Sequence, residues 1–349
     1  MITIRHPIPG LPAGYSSRGV DPTRDVAPVT ELCNAAALVE GGANELDEKV
    51  QEESYRAPGF DPQRDALVVL DGGGGIVATA EYWDNEEEHA TPFLYLRVAH
   101  ALVGTDDGAH IGAAMAAWGD ARAALTLQLA APALKVVLSS FASAANEPAQ
   151  RILEAAGFRY ARSSWQMQID LDETPPAPAT WPDGISVRSA DATEAEYHAI
   201  LEVQNDAFAD HYGFVPMSFR DFVHYGTRMT PFDPSLWRLV MEGEEMVAIS
   251  LNMPFRPGAP DVGWVGTLGV RRPWRRRGLG EALLRDAFTL FHARGTRQVG
   301  LGVDASSLTG ATRLYERVGM RVMRENRNYE KVLREGRNVR TIELAGGAG

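Results

Sequence analysis

The residues best suited to chemistry lie in the run Leu268-Gly-Val-Arg-Arg-Pro-Trp-Arg-Arg-Arg-Gly-Leu-Gly280. Within it, Arg275, Gly278 and Gly280 form an R-x-x-G-x-G pattern between an apolar run and an amphipathic one. Glycine lets the backbone turn tightly and lets a ligand approach without meeting a Cβ atom. The free N–H groups of a helix beginning here, at the positive end of its dipole, would face an anion. Five arginines in seven residues, Arg271, Arg272, Arg275, Arg276 and Arg277, add charge for several phosphates. The spacing is neither the G-x-x-x-x-G-K-[ST] of a nucleoside-triphosphate loop nor the G-x-G-x-x-G of a dinucleotide fold. The plainer alternative is a solvated arginine-rich loop closed by glycines.

About 30 residues further on, Asp304-Ala-Ser-Ser-Leu-Thr-Gly310 leads into a helical pattern that carries Tyr315 and stops at Gly319. A phenol with a pKa of ~10 can give a proton to a departing group, although a half-buried aromatic is the simpler reading. Asp210 and His211 form a titratable pair in Phe208-Ala-Asp-His-Tyr-Gly213, and an imidazole takes up a proton near neutral pH. Two other features only imitate sites. Gly72-Gly-Gly-Gly75 is followed by a strand pattern and reads as a hairpin turn. Glu86-Glu-Glu-His89 lacks metal-ligand spacing and reads as a solvated loop, so no metal is expected.

These residues need elements to position them. A chain of 349 residues suggests about two domains. With 45% hydrophobic and 23% charged residues, it has the composition of a globular protein. Thr174-Pro-Pro-Ala-Pro-Ala-Thr-Trp-Pro182 reads as a stiff connector, since proline continues neither a helix nor a central strand. The sequence repeats weakly across it. Tyr15-Ser-Ser-Arg18 matches Ile185-Ser-Val-Arg188, and Ile76-Val-Ala-Thr79 matches Met246-Val-Ala-Ile249, both at an offset of 170. Ala149-Gln-Arg-Ile-Leu-Glu-Ala-Ala-Gly157 matches Ala311-Thr-Arg-Leu-Tyr-Glu-Arg-Val-Gly319 at an offset of 162. Three matches in one order argue for duplication.

In the second half, strands are expected over 185–188, 236–241, 246–253, 263–270 and 299–303, with Glu242-Gly-Glu-Glu245 as a hairpin turn. Helices are expected over 194–210, 279–293 and 310–318, and a strand-rich segment over 320–333. That order predicts a mixed sheet covered by helices.

Charge divides unevenly. Residues 1–178 hold 12 Lys and Arg against 25 Asp and Glu, and the remainder 22 against 21. The net charge of -12 argues against nucleic-acid binding. No apolar run is long enough to span a bilayer, the first residues lack a secretory pattern, and the single cysteine, Cys33, cannot form an internal disulfide. A cytoplasmic protein, monomeric or homodimeric, is expected.

Over residues 262–333 the sequence resembles the GNAT N-acetyltransferase superfamily. Arg275-x-x-Gly278-x-Gly280 is similar to its pyrophosphate motif, and Ala311-x-x-Leu314-Tyr315-Glu316-x-x-Gly319 to the motif that follows. With the internal repeat and Phe208–Gly213, the chain is most similar to tandem GNAT proteins of the actinobacterial mycothiol synthase type. The resemblance implies an α/β (α+β) fold of two GNAT-type domains, each a mixed, mostly antiparallel sheet flanked by helices. The implied boundaries are 1–173 for a degenerate first domain, 174–183 for the linker, 184–334 for the active domain and 335–349 for a tail.

It further implies acetyl-CoA as co-substrate and a small amine as acceptor. The backbone of Leu268, Gly269 and Val270 would pair with the pantetheine arm. Arg275, Arg276, Arg277, Gly278, Leu279, Gly280 and Glu281 would hold the pyrophosphate, with Asp304 nearby and Tyr315 beside the sulfur as general acid. Where many members carry a glutamate as base, this chain has Trp264, with Asp261 just before it. The base candidates are therefore Asp210, His211 or a water chain ending at Asp304.

In the first half, Asp107 aligns with Arg275, His110 with Gly278 and Leu153 with Tyr315. That half is expected neither to bind CoA well nor to catalyse. The competing functions are a non-catalytic acyl-CoA-binding protein and a transferase using another acyl-CoA.

Overall fold

The computed structural model describes residues 7–84, 86–228, 231–307 and 310–341. The apolar runs of the first half become β1 (Ser16–Gly19), β2 (Ala66–Leu70), β3 (Ile76–Trp83), β4 (Phe93–Val98), β5 (Val136–Ser143) and β6 (Arg159–Asp170). Between them lie α1 (Val26–Gly41), α2 (Glu48–Ser54), α3 (Pro62–Asp65), α4 (Asp106–Thr126) and α5 (Glu147–Ala155). The second half forms β7 (Ile185–Ser189), α6 (Glu194–Phe208), α7 (Phe219–Val223), β8 (Trp237–Glu242), β9 (Glu245–Met253) and β10 (Val262–Val270). It continues with α8 (Leu279–Ala293), β11 (Gln298–Asp304), α9 (Ala311–Arg317) and β12 (Arg321–Arg334). The helix and strand expectations of the second half all fall within a few residues of these bounds.

The chain divides into two units, and the division is not a single cut. One unit holds residues 1–163 and 324–339, the other 164–323 and 340–349. Strand order in the first is β1-β2-β3-β4-β5-β12, and in the second β6-β11-β10-β9-β8-β7. Each is a mixed, mostly antiparallel sheet with one parallel pair, β4 with β5 and β10 with β11. The expected boundaries at 173 and 184–334 therefore differ from these units. The strand that ends each half joins the other half's sheet, as β12 pairs with β5 and β6 with β11. A strand's pattern fixes its faces but not its neighbour, which only tertiary pairing decides. Of the expected tail, residues 335–341 are split between the units, and 342–349, like residues 1–6, lie outside the described residues.

Within the first unit, β12 brings Arg324 to two buried carboxylates and Lys331 to a half-exposed one. Arg324 reaches Glu40 and Glu45 at 3.2 Å each, beside Arg97, which pairs with the same two carboxylates. Lys331 reaches Asp120 at 2.7 Å. A buried carboxylate is tolerated only when paired and hydrogen-bonded, so the strand supplies charge as well as backbone pairing.

In the second unit, α8 packs Leu284, Ala287, Phe288 and Phe291 into a core with Val265, Val299 and Leu301. Burial of each large side chain contributes roughly 2–3 kcal/mol. Gly263 makes this packing possible, since a Cβ there would lie 2.6 Å from the Phe291 ring. Gly72–Gly75 forms the β2–β3 turn, with Asp71 accepting from the N–H groups of Gly73 and Gly75 at 2.9 Å each. Among the described residues no helix is long and apolar enough to cross a membrane, and no His, Cys, Asp and Glu cluster could hold a metal.

Candidate active site

The site begins where two parallel strands part. β10 pairs with β11 only over Val262–Val265 and Gln298–Leu301. On its other edge it stays paired to β9 through Val270, with Gly266 bulged out of register. Beyond the bulge, the edge of Thr267–Val270 facing away from β9 has no strand partner among the described residues, and apart from the Val270 carbonyl, which accepts from Arg275, its backbone groups can bind an extended chain. A cleft of about 780 Å³ opens there, lined by Leu268, Gly269, Val270, the arginine turn, the first turn of α8, His211 and Tyr315.

The arginine turn is held by carboxylates from distant elements. Each guanidinium nitrogen of Arg275 donates to the protein: Nη1 to Asp210 at 2.6 Å, Nη2 to the Ala207 carbonyl at 2.8 Å and Nε to the Val270 carbonyl at 3.1 Å. Arg272 also chelates Asp210, Arg271 pairs with Asp206 at 2.7 Å, and Arg277 pairs with Glu242 at 2.7 Å. Arg276 is exposed and is the only one of the five whose side chain has no protein partner among the described residues. Its backbone is left-handed, with φ of +63°. Two residues later Gly278 takes φ of +83° as the cap of α8, and no side chain caps that helix. The first-turn amides of Leu279, Gly280 and Glu281 are thus unsatisfied by the helix itself and border the cleft. Gly280 is needed for closeness, because a Cβ there would meet Leu314 of α9 at 3.2 Å. The Glu281 carboxylate turns to Arg285 at 2.9 Å and Arg317 at 3.7 Å.

Tyr315 sits on α9, 7% exposed, with no hydrogen bond to its hydroxyl among the described residues. Burial alone pushes its phenol up to about 12, so it stays protonated and free to donate. His211 stacks on Phe208 at 4.5 Å, and its buried Nδ1 has no protein partner among the described residues. Burial, and then the charge of Arg275, hold the imidazole below its ordinary pKa. A neutral ring near pH 7 can accept a proton.

Asp210 is differently engaged. Burial works against its charge, but hydrogen bonds from Arg272 and Arg275 outweigh that and keep the carboxyl below the usual range. Its lone pairs face guanidinium groups, which suits an anchor of the turn. Asp304 ends β11, accepts the Ser306 N–H at 2.9 Å, and does not border the cleft. Trp264 lies across β11, where a Cβ on Gly300 would be 2.8 Å from its ring, and Arg256 covers the indole at 6.0 Å. Two features escaped the sequence. Ala207 and Phe208 press on Gly269, where a Cβ would meet them at 3.0 and 3.1 Å. Arg317 borders the cleft from the helix of Tyr315, and its spacing of two residues from the tyrosine gave no local sign of that.

The first unit has a corresponding cleft of about 550 Å³ between β4, α4 and α5, with Leu153 at the place of Tyr315. Its helix α4 is capped by Thr105, whose Oγ1 accepts the Gly108 N–H at 3.1 Å, and starts with Asp106 and Asp107.

Residues 198–320 match the profile of the Acetyltransferase (GNAT) family. Over 199 residues the chain is 33% identical to a mycothiol acetyltransferase of Beutenbergia cavernae, a stretch covering 54% of this chain and 65% of that relative, just under two thirds of its length. Among solved structures, a GCN5-related N-acetyltransferase from Sphaerobacter thermophilus is 29% identical, with a TM-score of 0.77 over 94% of this chain and 98% of that one. A tandem GNAT protein from the clavulanic acid biosynthesis pathway shares the fold at 14% identity, with a TM-score of 0.65 over 93% and 100% of the two chains. The splayed β10 and the uncapped α8 both lie inside the stretch of the second unit, residues 198–320, that matches the Acetyltransferase (GNAT) family.

Proposed function

We propose that the second unit transfers the acetyl group of acetyl-CoA to a primary amine of a small molecule or peptide, at a single site in the β10–β11 cleft. One observation carries this reading. A strand edge and a phenol without partners among the described residues, and a helix N-terminus with no side-chain cap, all border the same space. The edge of Leu268–Val270 pairs with the amides of the pantetheine arm, and the first-turn amides of α8, with Arg276, take the diphosphate. A backbone N–H of β10 polarises the thioester carbonyl.

The amine nitrogen attacks that carbonyl carbon and the C–S bond breaks. His211 takes the proton lost by the amine, and Tyr315 gives its proton to the departing thiolate. Asp210 acts as the anchor of Arg272 and Arg275, not as the base. The naming of relatives as mycothiol acetyltransferases makes a mycothiol-like amino-sugar thiol the first acceptor to try.

The test is thiol release from acetyl-CoA by the full chain across a panel of primary amines, with Tyr315→Phe as control. Turnover with at least one amine, lost in the variant while CoA still binds, is expected. Equal turnover in wild type and variant would remove Tyr315 from the chemistry.

A further inference from the structure

The first unit's cleft has kept some features of the second's and lost others. β4 pairs with β5 only at Phe93 and Ser139, after which the strands part, as β10 and β11 do. The edge of Tyr95–Val98 facing away from β3 thus has no strand partner among the described residues, and Leu96, Arg97 and Val98 border the cleft. The interior is apolar, with Met115, Phe141, Ile152 and Leu153 among its walls.

The charged and polar groups that reach it are already committed. Arg97 is held by Glu40 and Glu45, Asp120 by Lys331, Arg151 by Glu147, and Asn146 donates to Glu40 while accepting from the Ala149 N–H at 3.0 Å. What the interior offers besides these is the unpaired strand edge of Leu96–Val98. At the mouth, where the second unit presents bare helix amides, α4 presents its Thr105 cap and the exposed carboxylate of Asp106, which has no partner among the described residues.

A phosphate would meet capped donors and a like charge there. A neutral chain would find apolar walls, a free strand edge for its amides, and a volume in the range of small-molecule sites. We propose that this cleft is a second ligand site, that it takes an uncharged, extended, amide-bearing small molecule, and that it excludes coenzyme A. With leucine where the other unit has a phenol, the ligand is held without being turned over.

The proposal does not depend on what the second unit acetylates, and its test is direct. The full chain is titrated calorimetrically with N-acetyl-leucyl-valinamide, a neutral peptide amide, in the presence and absence of saturating CoA. Ala113, exposed at the cleft mouth, is replaced in Ala113→Trp to plug it. One equivalent of peptide amide per chain is expected, indifferent to CoA and weakened about tenfold or more by the plug. CoA itself is expected at one equivalent in both proteins, which also reports that the variant is folded. Should Ala113→Trp not fold, Ala109→Trp obstructs the same mouth. Absence of peptide-amide binding, binding unchanged by the plug, competition by CoA, or a second CoA equivalent would each overturn the proposal.

Discussion

Helices α4 and α8 open the same way onto a cleft beside a splayed parallel strand pair, yet their first turns present opposite surfaces. The two can be aligned through packing. Gly112 lies where a Cβ would strike Ile152 of α5 at 2.4 Å, as Gly280 lies against Leu314 of α9. Measured from these glycines, α4 begins six residues earlier and α8 one. More than one extra helical turn therefore stands in the first unit at the position of the arginine bend. Its amides are used in helical hydrogen bonds, its cap is Thr105, and Asp107 accepts from the Tyr15 hydroxyl at 3.2 Å. A side-chain cap contributes about 1 kcal/mol to a helix. The same cap occupies a donor an anion would need, that of Gly108, so what stabilises α4 also disfavours phosphate there. The second unit leaves those donors bare and rigidifies the bend with ion pairs instead.

This contrast can be broken at several points. The largest effect belongs to Tyr315→Phe, expected to lower kcat about 100-fold or more while leaving the Kd for CoA unchanged. The reciprocal Leu153→Tyr should produce no turnover in the first unit, as read by thiol release from a Tyr315→Phe, Leu153→Tyr chain. Next is Gly280→Asp, which gives α8 an acid like those of α4 and crowds Leu314. A loss of about 2 kcal/mol, roughly 30-fold in the Kd for CoA, is expected by calorimetry.

Asp210→Asn frees Arg272 and Arg275 and should weaken CoA binding about tenfold, with kcat at saturating CoA falling less than KM rises. A collapse of kcat alone would return Asp210 to the role of base. Arg276→Gln removes the arginine of the bend that has no protein partner among the described residues and should cost about threefold in CoA affinity, an effect that fades as salt is raised. Smallest is the effect of pH near neutrality. Because the His211 pKa is depressed, the imidazole is already neutral at pH 7, and loss of rate on acidification should begin only below about 6.5. Tyr315, at about 12, should add no alkaline loss below pH ~10. A pH profile of kcat/KM for wild type and His211→Gln checks both, since the acid limb should vanish in the variant.

The local geometry of the candidate site was legible in the sequence because it is local. Gly278 and Gly280 mark a backbone bend within one turn of a helix, and the bounds expected for that helix, 279–293, are those observed. Tyr315 was legible through its spacing before Gly319. The charge of the bend was not. Five arginines suggested several phosphate ligands, whereas Asp206 of α6, Asp210 just after it and Glu242 of β8 pair with four of them. Pairing across 35 or more residues leaves no mark in a local pattern. The partners of β6 and β12 were illegible for a related reason. Each alternates like any half-exposed strand, and nothing in either distinguishes one sheet edge from another.

The placement of β12 has a consequence for biosynthesis. A ribosome releases the N-terminal unit's final strand only after nearly all of the other unit has been made. Until Arg324 and Lys331 emerge, Glu40 and Glu45 share a single guanidinium, and Asp120 lacks its ammonium partner. Vectorial, one-after-the-other maturation is therefore closed to this polypeptide, and cutting its gene at the proline-rich junction would yield two fragments that must find each other before either is whole.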